Sequence, residues 1–427
     1  MFTVSYFDRR RFLQVTAAVG LATAATTLPA ADADVSGVWP QWRGPTRDGQ
    51  TPNSPTWPDT LTDDNFQQSW RVELEPSYSG PIVAADRVFV TETVDRKFEV
   101  VRALDRVTGK ELWKQQWDGA LTVPFFAASN GSWIRATPAF DGDTLYVAGM
   151  RDVLVALDAQ TGQERWRVDF VKQLKTPVPA FGFVSSPLVL GDSVYVQAGA
   201  SVIKLNKRTG EIVWRTLDDG GGMLGSAFSS PVYVGSLAGR EQLLVQTRDK
   251  LAGVDPTNGK ELWSQQIESF RGMNILTPTI WQDHVFTSSY GGKSLLFKLS
   301  PGDNDSLSLA EAWVNKTQGY MSSPVVWKDH AYLHLKNQRF TCIDLATGKE
   351  AWTTRPYGKY WSIIAQQDRA LALDERGTLL YLHLTPEKFD LLAERKVSEQ
   401  ESWAHLAIAG DQVFVRDLRG LTTFRWR

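Results

Sequence analysis

Leu157-Asp158-Ala159-Gln160-Thr161-Gly162-Gln163-Glu164-Arg165-Trp166 is one copy of a phrase that recurs along this chain. The same Leu-Asp, Thr-Gly and Trp elements stand at Leu104-Asp105, Thr108-Gly109 and Trp113, and, with one replacement, at Leu205-Asn206, Thr209-Gly210 and Trp214. Val254-Asp255, Asn258-Gly259 and Trp263 form a fourth copy; Ile343-Asp344, Thr347-Gly348 and Trp352 form a fifth. A weaker copy ends at Trp313. The first four Trp anchors are 53, 48 and 49 residues apart, and a period of about 40–50 residues suits a four-stranded propeller blade.

The local pattern excludes helical repeats of similar length. Between 136 and 169, Ala136–Phe140, Thr144–Ala148, Val153–Leu157 and Gln163–Val168 read as four short strands separated by Gly- and Asp-bearing turns. Period-two alternation bounded by such turns is the strand signature. Asp158 is placed to accept hydrogen bonds from amides in its own turn, and Gly162 tolerates a positive φ. Trp166 offers a broad apolar plate for packing between sheets, so these tryptophans are read as structural. A second anchor opens each unit: Gly80-Pro81, Thr137-Pro138, Ser186-Pro187, Ser230-Pro231, Thr277-Pro278 and Ser323-Pro324. Proline at the head of a strand loses no ladder bond. Degenerate openings at Trp361-Ser362 and Trp403-Ala404 bring the count to eight. The last unit has room for only three strands, while Gln68–Leu74 around Trp70 has no strands before it. The expected fold is therefore all-β: an eight-bladed propeller of four-stranded antiparallel blades over 66–427, closed by an N-terminal strand pairing with the C-terminal blade.

These residues resemble the PQQ-like β-propeller repeat family, which contains quinoprotein alcohol dehydrogenases and BamB-like outer-membrane assembly lipoproteins. The resemblance runs from Phe66 to Arg427 and rests on the Leu-Asp-x-x-Thr-Gly-x-x-x-Trp phrase and the Ser-Pro openings. It implies the propeller. For function it implies either a non-catalytic scaffold or a PQQ-dependent dehydrogenase.

Arg9-Arg10-Arg11-Phe12-Leu13-Gln14 resembles a twin-arginine export motif; the small-residue apolar stretch Val15–Ala30 and an Ala31-Asp32-Ala33 processing site follow it. Leu28-Pro29-Ala30 is the alternative site. Residues 1–33 thus read as a cleaved signal, giving a periplasmic or otherwise exported protein with no transmembrane segment in its mature chain. Residues 34–65, with Trp39-Pro40-Gln41-Trp42-Arg43-Gly44 and several prolines, read as an extended segment packed onto the propeller through Trp39 and Trp42. Cys342, the one cysteine, permits no intrachain disulfide and falls in a third strand. The formal charge of −2 supplies no basic field for nucleic acid.

Propellers present function at one mouth of the channel, in loops at the start of the inner strands. The openings place Tyr78, Trp133, Arg135, Phe183, Phe228, Arg271, Asn274, Tyr320, Tyr360, Trp361, Trp403 and His405 there. Aromatic and arginine residues favour partner hot spots and hold planar or anionic ligands equally well. The longest loops, 117–130, 172–182 and 218–226, precede these openings; the last holds Gly220-Gly221-Gly222. Resemblance to the quinoprotein dehydrogenases implies PQQ, a calcium ion held by Glu, Asn and Asp oxygens, and an Asp base. This chain has Asn274, Asp218, Asp219 and Glu401 near the mouth but no spaced set matching that pattern. Calcium takes six to eight oxygen ligands. The five histidines are scattered, and Asp303-Asn304-Asp305 lacks the Gly and Glu of a calcium loop. No Gly-x-Ser-x-Gly occurs. The expectation is an exported, monomeric, non-catalytic scaffold without cofactor, binding an envelope protein or small ligand at the channel mouth. The alternative is a dehydrogenase using PQQ with calcium.

Overall fold

The computed structural model describes residues 37–51, 55–221, 227–302 and 306–427. The export stretch, the Asp303–Asp305 turn and Gly222 lie outside the described residues. The chain forms eight four-stranded antiparallel sheets. In chain order, blade 1 holds β2(Ile82–Val83) to β5(Glu111–Asp118), and blade 2 holds β6(Ala139–Phe140), β7(Thr144–Gly149), β8(Val153–Asp158) and β9(Glu164–Asp169). Blade 3 runs from β10(Leu188–Leu190) to β13(Ile212–Thr216), and blade 4 from β14(Val232–Leu237) to β17(Glu261–Gln266). Blade 5 runs from β18(Thr279–Trp281) to β21(Leu307–Asn315), blade 6 from β22(Val325–Trp327) to β25(Glu350–Thr353), and blade 7 from β26(Trp361–Gln366) to β29(Asp390–Lys396). Blade 8 is composite: β30(Ala407–Ala409), β31(Gln412–Asp417) and β32(Gly420–Trp426) are completed by β1(Phe66–Glu73). Phe66 faces Trp426 and Glu73 faces Gly420 in that pairing, so the two ends of the ring are sewn together as the Trp70 strand led us to expect.

At most junctions the repeated phrase fastens one blade to the next. In blade 2 the register shifts between Ala156 and Leu157, and this bulge aims Trp166 at the neighbouring sheet. Equivalent shifts occur at Ala103/Leu104, Lys204/Leu205 and Gly253/Val254. Trp113 Nε1 donates to Ala159 O of blade 2 at 3.0 Å, and Trp166 Nε1 donates to Lys207 O of blade 3 at 3.0 Å. Each acceptor follows the Asp or Asn of the next copy. The turn glycine then covers the ring: a Cβ on Gly162, whose φ is +75°, would stand 2.6 Å from Trp113. Gly109 over Trp70, Gly210 over Trp166, Gly259 over Trp214 and Gly348 over Trp313 repeat the arrangement. The glycine is therefore demanded both by its backbone and by the neighbour's indole. Asp158 accepts from the Gln160 and Thr161 amides, as its place in the turn predicted.

The prolines sit one residue ahead of the paired strands rather than within them. The preceding hydroxyls make an inner ring: the amides of Gly80, Thr137 and Ser186 donate to Thr137 Oγ1, Ser186 Oγ and Ser230 Oγ, each on the next blade. Thr277 donates to Ser323 Oγ in the same manner. Cys342 is buried in β24(Phe340–Asp344), the third strand of blade 6. No helix among the described residues is long and apolar enough to cross a membrane.

Candidate functional site

The channel is crossed by the segment that precedes β1. Trp39 exchanges backbone hydrogen bonds with Val83 of blade 1, at 2.8 and 2.9 Å, and Pro40 O accepts from the Phe140 amide of blade 2. Arg47 donates to Pro187 O and Ser186 O of blade 3, at 2.7 and 3.0 Å. Arg43 donates to Pro324 O of blade 6 and to Asp48 O. Gln50 and Thr51 reach Val326 O of blade 6 and Ala365 O of blade 7. Trp39, Arg43 and Arg47 are among the largest fully buried side chains. Burial lowers Arg43 to about 10, partly opposed by Asp48, and lowers Arg47 to about 9, with Arg43 adding repulsion. Among the described residues neither guanidinium has an ion-pair partner; carbonyl dipoles hold both.

Trp42 stands on this plug and forms the floor of a cavity of about 190 Å³ that opens at the mouth. Tyr78, Arg135, Phe181, Phe228, Tyr320, Tyr360 and Trp403 contribute to its wall together with Val184, Met273, Ile275 and Met321. Tyr360 and Trp403 stack at 5.7 Å with planes 7° apart, and Tyr78 leans on Trp403 at 5.7 Å. The Arg135 guanidinium lies 5.6 Å from the Tyr78 ring centre and donates to Trp133 O and Gly131 O. Burial lowers Arg135 to about 10, opposed by Tyr78, and raises Tyr78 to about 12. Burial also raises Tyr360, against the pull of Arg43. No carboxylate occurs among the described lining residues. Glu401 is at the rim, where it accepts from Trp403 Nε1 at 2.7 Å.

Of the mouth residues picked from the sequence, Tyr78, Arg135, Phe228, Tyr320, Tyr360 and Trp403 meet in this cavity. Trp133 supplies the carbonyl that holds Arg135. Five are placed elsewhere and correct the expectation. Phe183 is buried against Phe170 between blades. Trp361 is buried against His334 and Phe340. Asn274 is buried with Nδ2 donating to Thr247 O and Arg248 O. Arg271 is exposed and lies over Phe270, off the cavity wall. His405 is buried behind Trp42 at 4.8 Å, and burial lowers it to about 3. Trp42, Phe181, Val184 and the two methionines were not chosen as mouth residues. The signal for several was present: each is adjacent to, or on the same loop as, a residue that was.

The dehydrogenase resemblance implies a calcium ion and PQQ. Among the described residues no group of three His, Cys, Asp or Glu side chains is disposed to hold a metal. The Asn274 amide nitrogen is committed to two carbonyls, leaving one buried oxygen. These donors do not fit a calcium ion, which takes six to eight oxygens. The rings and Arg135 alone match a planar carboxylate.

Fold and repeat define a propeller of the PQQ-like repeat class, its channel plugged from one side and open at an aromatic mouth. A family model described as outer membrane protein assembly factor BamB matches residues 61–127 and 96–354, and the chain belongs to that family. BamB of Nitrosomonas eutropha is 27% identical over 234 residues, covering 50% of this chain and 50% of that protein. BamB of Moranella endobia is 21% identical over 357 residues, covering 80% of this chain and 83% of the relative. This chain thus spans half the length of the first relative and most of the second. Among solved structures, BamB of Moraxella catarrhalis superposes with a TM-score of 0.62 at 14% identity, covering 85% of this chain and 98% of that one. A europium-containing methanol dehydrogenase superposes with a TM-score of 0.61 at 14% identity, covering 90% of each chain. These two likenesses show the fold alone.

Proposed function

We propose that this protein is an exported, non-catalytic binding scaffold of the cell envelope, engaging a protein partner through its channel mouth. The observation that carries the reading is the mouth itself: a plugged cavity with an aromatic wall, one half-buried arginine and no carboxylate among its described lining residues. Such a surface supplies desolvated ring area and a charge-assisted donor, which suit recognition, and it offers no paired acid and base for proton transfer. The relatives named as outer-membrane assembly factors support placement in the envelope, and the Arg9-Arg10-Arg11 stretch supports export by the twin-arginine route. The test is a pull-down from envelope extract with the wild-type chain, Trp403→Ala and Phe126→Ser, the latter at an exposed ring 6.2 Å from cavity-lining Phe181. Retention of outer-membrane assembly components by the wild type and their loss from both variants is the expected result. Equal recovery with all three proteins would remove the mouth from the account.

A second reading, a PQQ-dependent dehydrogenase, is favoured by the stacked rings beside Arg135. Incubation with PQQ and calcium separates the two. Saturable spectral binding together with dye-linked alcohol oxidation would establish the enzyme; neither is expected.

A further inference from the structure

The mouth cavity continues outward along a row of rings. Phe228 lies 5.6 Å from Phe181, Phe181 lies 6.2 Å from Phe126, and Phe126 lies 5.8 Å from Phe125. The row climbs from the cavity to open solvent: Phe125 is 91% exposed and Phe126 53%. It is shared by three separate loops, so it is a built feature of the face rather than one loop's accident. Exposed contiguous rings of this kind mark interaction surfaces.

Beside the row the cations without an ion pair outnumber the acids; the rim acid Glu401 belongs to the Trp403 side of the mouth, where it accepts from that indole. Arg135 stands in the cavity with carbonyls as its only hydrogen-bond partners among the described residues. Arg151, bonded to Ala120 O on the Phe125 loop, and Lys175, on the next loop, are exposed, and neither makes an ion pair among the described residues. The nearby acids are already neutralised: Asp219 pairs with Arg248 at 2.9 Å and Asp218 with Arg215 at 2.8 Å. An occupant therefore gains by bringing both apolar rings and negative charge. A compact ligand fills the cavity but leaves the outer rings uncovered. An extended chain covers both.

We propose that the mouth takes an extended peptide segment bearing aromatic and acidic side chains, with its rings along the Phe125-to-Phe228 row and a carboxylate on Arg135. This rests on the scaffold reading above and names the chemistry of the partner. The test is calorimetric titration of the full chain with a synthetic peptide in which Phe and Glu residues are spaced by Gly and Ser. A Lys-for-Glu version, an Ala-for-Phe version and phenylacetate serve as comparisons. The Phe/Glu peptide is expected to saturate, and the two altered peptides to bind on the order of tenfold more weakly. Arg135→Gln should abolish the preference for Glu over Lys. Phe126→Ser, at an exposed ring, should weaken binding about threefold, and Leu392→Ser on blade 7 should leave it unchanged. Equal binding of the Glu and Lys peptides, or a preference retained in Arg135→Gln at unaltered melting temperature, overturns the proposal. Phenylacetate binding as tightly as the peptide overturns it in favour of a small ligand. If the envelope pull-down still depends on Trp403 while no peptide binds, the scaffold reading stands and this inference falls.

Discussion

The junction between blades 1 and 2 and that between blades 4 and 5 are built from the same residue type and held in different ways. At the first, Trp113 reaches out: its indole donates to Ala159 O of the next blade and Gly162 lies across its face. At the second, Trp263 turns inward and donates to Gln242 Oε1 of its own blade at 2.7 Å. Among the described residues no glycine of blade 5 covers it; instead it packs in one cluster with Leu299 and Leu307. The buried polar group at each junction differs as well. Glu99 of blade 1 accepts from the Met150 amide of blade 2 at 2.6 Å and from Trp117 Nε1 at 2.8 Å, whereas Gln246 of blade 4 meets Thr287 Oγ1 of blade 5. A recurring tryptophan can thus serve an interblade latch or an intrablade buttress, and its hydrogen-bond acceptor tells which.

The largest expected effect breaks the latch. Trp113→Ala removes a buried plate and its bond, at about 3–5 kcal/mol of stability, read by urea unfolding. Gly162→Ala follows, at about 2–4 kcal/mol, because the new methyl meets both a positive φ and the Trp113 ring. The junction between blades 4 and 5 offers no described glycine at which this second experiment can be repeated.

A pH series sharpens the contrast. Burial pushes Glu99 up to about 7, opposed by its two N–H donors, and pushes Asp152, which accepts from the Gly199 amide of blade 3, up to about 7 as well. Both carboxyls hold their protons more tightly folded than unfolded. Their contribution is whole below the ordinary carboxylate range and is lost as pH rises through about 7. Unfolding free energy should therefore fall between pH 5 and pH 8, by an amount on the order of 3 kcal/mol per group at most, and the melting temperature should fall with it. Glu99→Gln should flatten that slope; a profile identical to wild type would refute the assignment. Gln246 at the other junction does not titrate.

The smallest effect reverses the ranking. Trp113→Phe leaves Ala159 O with the 2.8 Å bond from Arg87, so its cost should stay near 1 kcal/mol. Trp263→Phe strands the fully buried Gln242 oxygen and should cost about 1–3 kcal/mol. Equal unfolding midpoints for the two variants would erase the distinction.

The contrast also marks what the sequence could reveal. Blade number, closure through the Trp70 strand and the structural role of the tryptophans follow from period and turn chemistry, which are local. The mouth was legible only to within one residue. Phe183 is buried while Val184 lines the cavity; Trp361 is buried beside cavity-lining Tyr360; Asn274 is buried between Met273 and Ile275, which line it. Along an extended segment successive side chains point to opposite sides. An opening located by its Ser-Pro signal therefore fixes the place without fixing the face. The hydroxyl ring leaves a fainter mark: the Ser or Thr that precedes the proline at most openings is its only sign in the sequence. The plug was read as an extended segment packed on the propeller. Nothing in Trp39–Thr51 alone says that its carbonyl partners come from blades far apart in the chain.

That plug has a consequence for how the molecule comes to be. The stretch that leaves the ribosome ahead of every blade ends up at the hub, touching blades 1, 2, 3, 6 and 7, and the final strand docks on the strand that follows it. The wheel cannot be rimmed first and have its axle driven in afterwards. Ring closure must wait until the carboxyl end has been made, because it joins residues separated by hundreds of positions. Such long-range closure slows folding, and it makes the finished hub hard to withdraw without opening the whole rim.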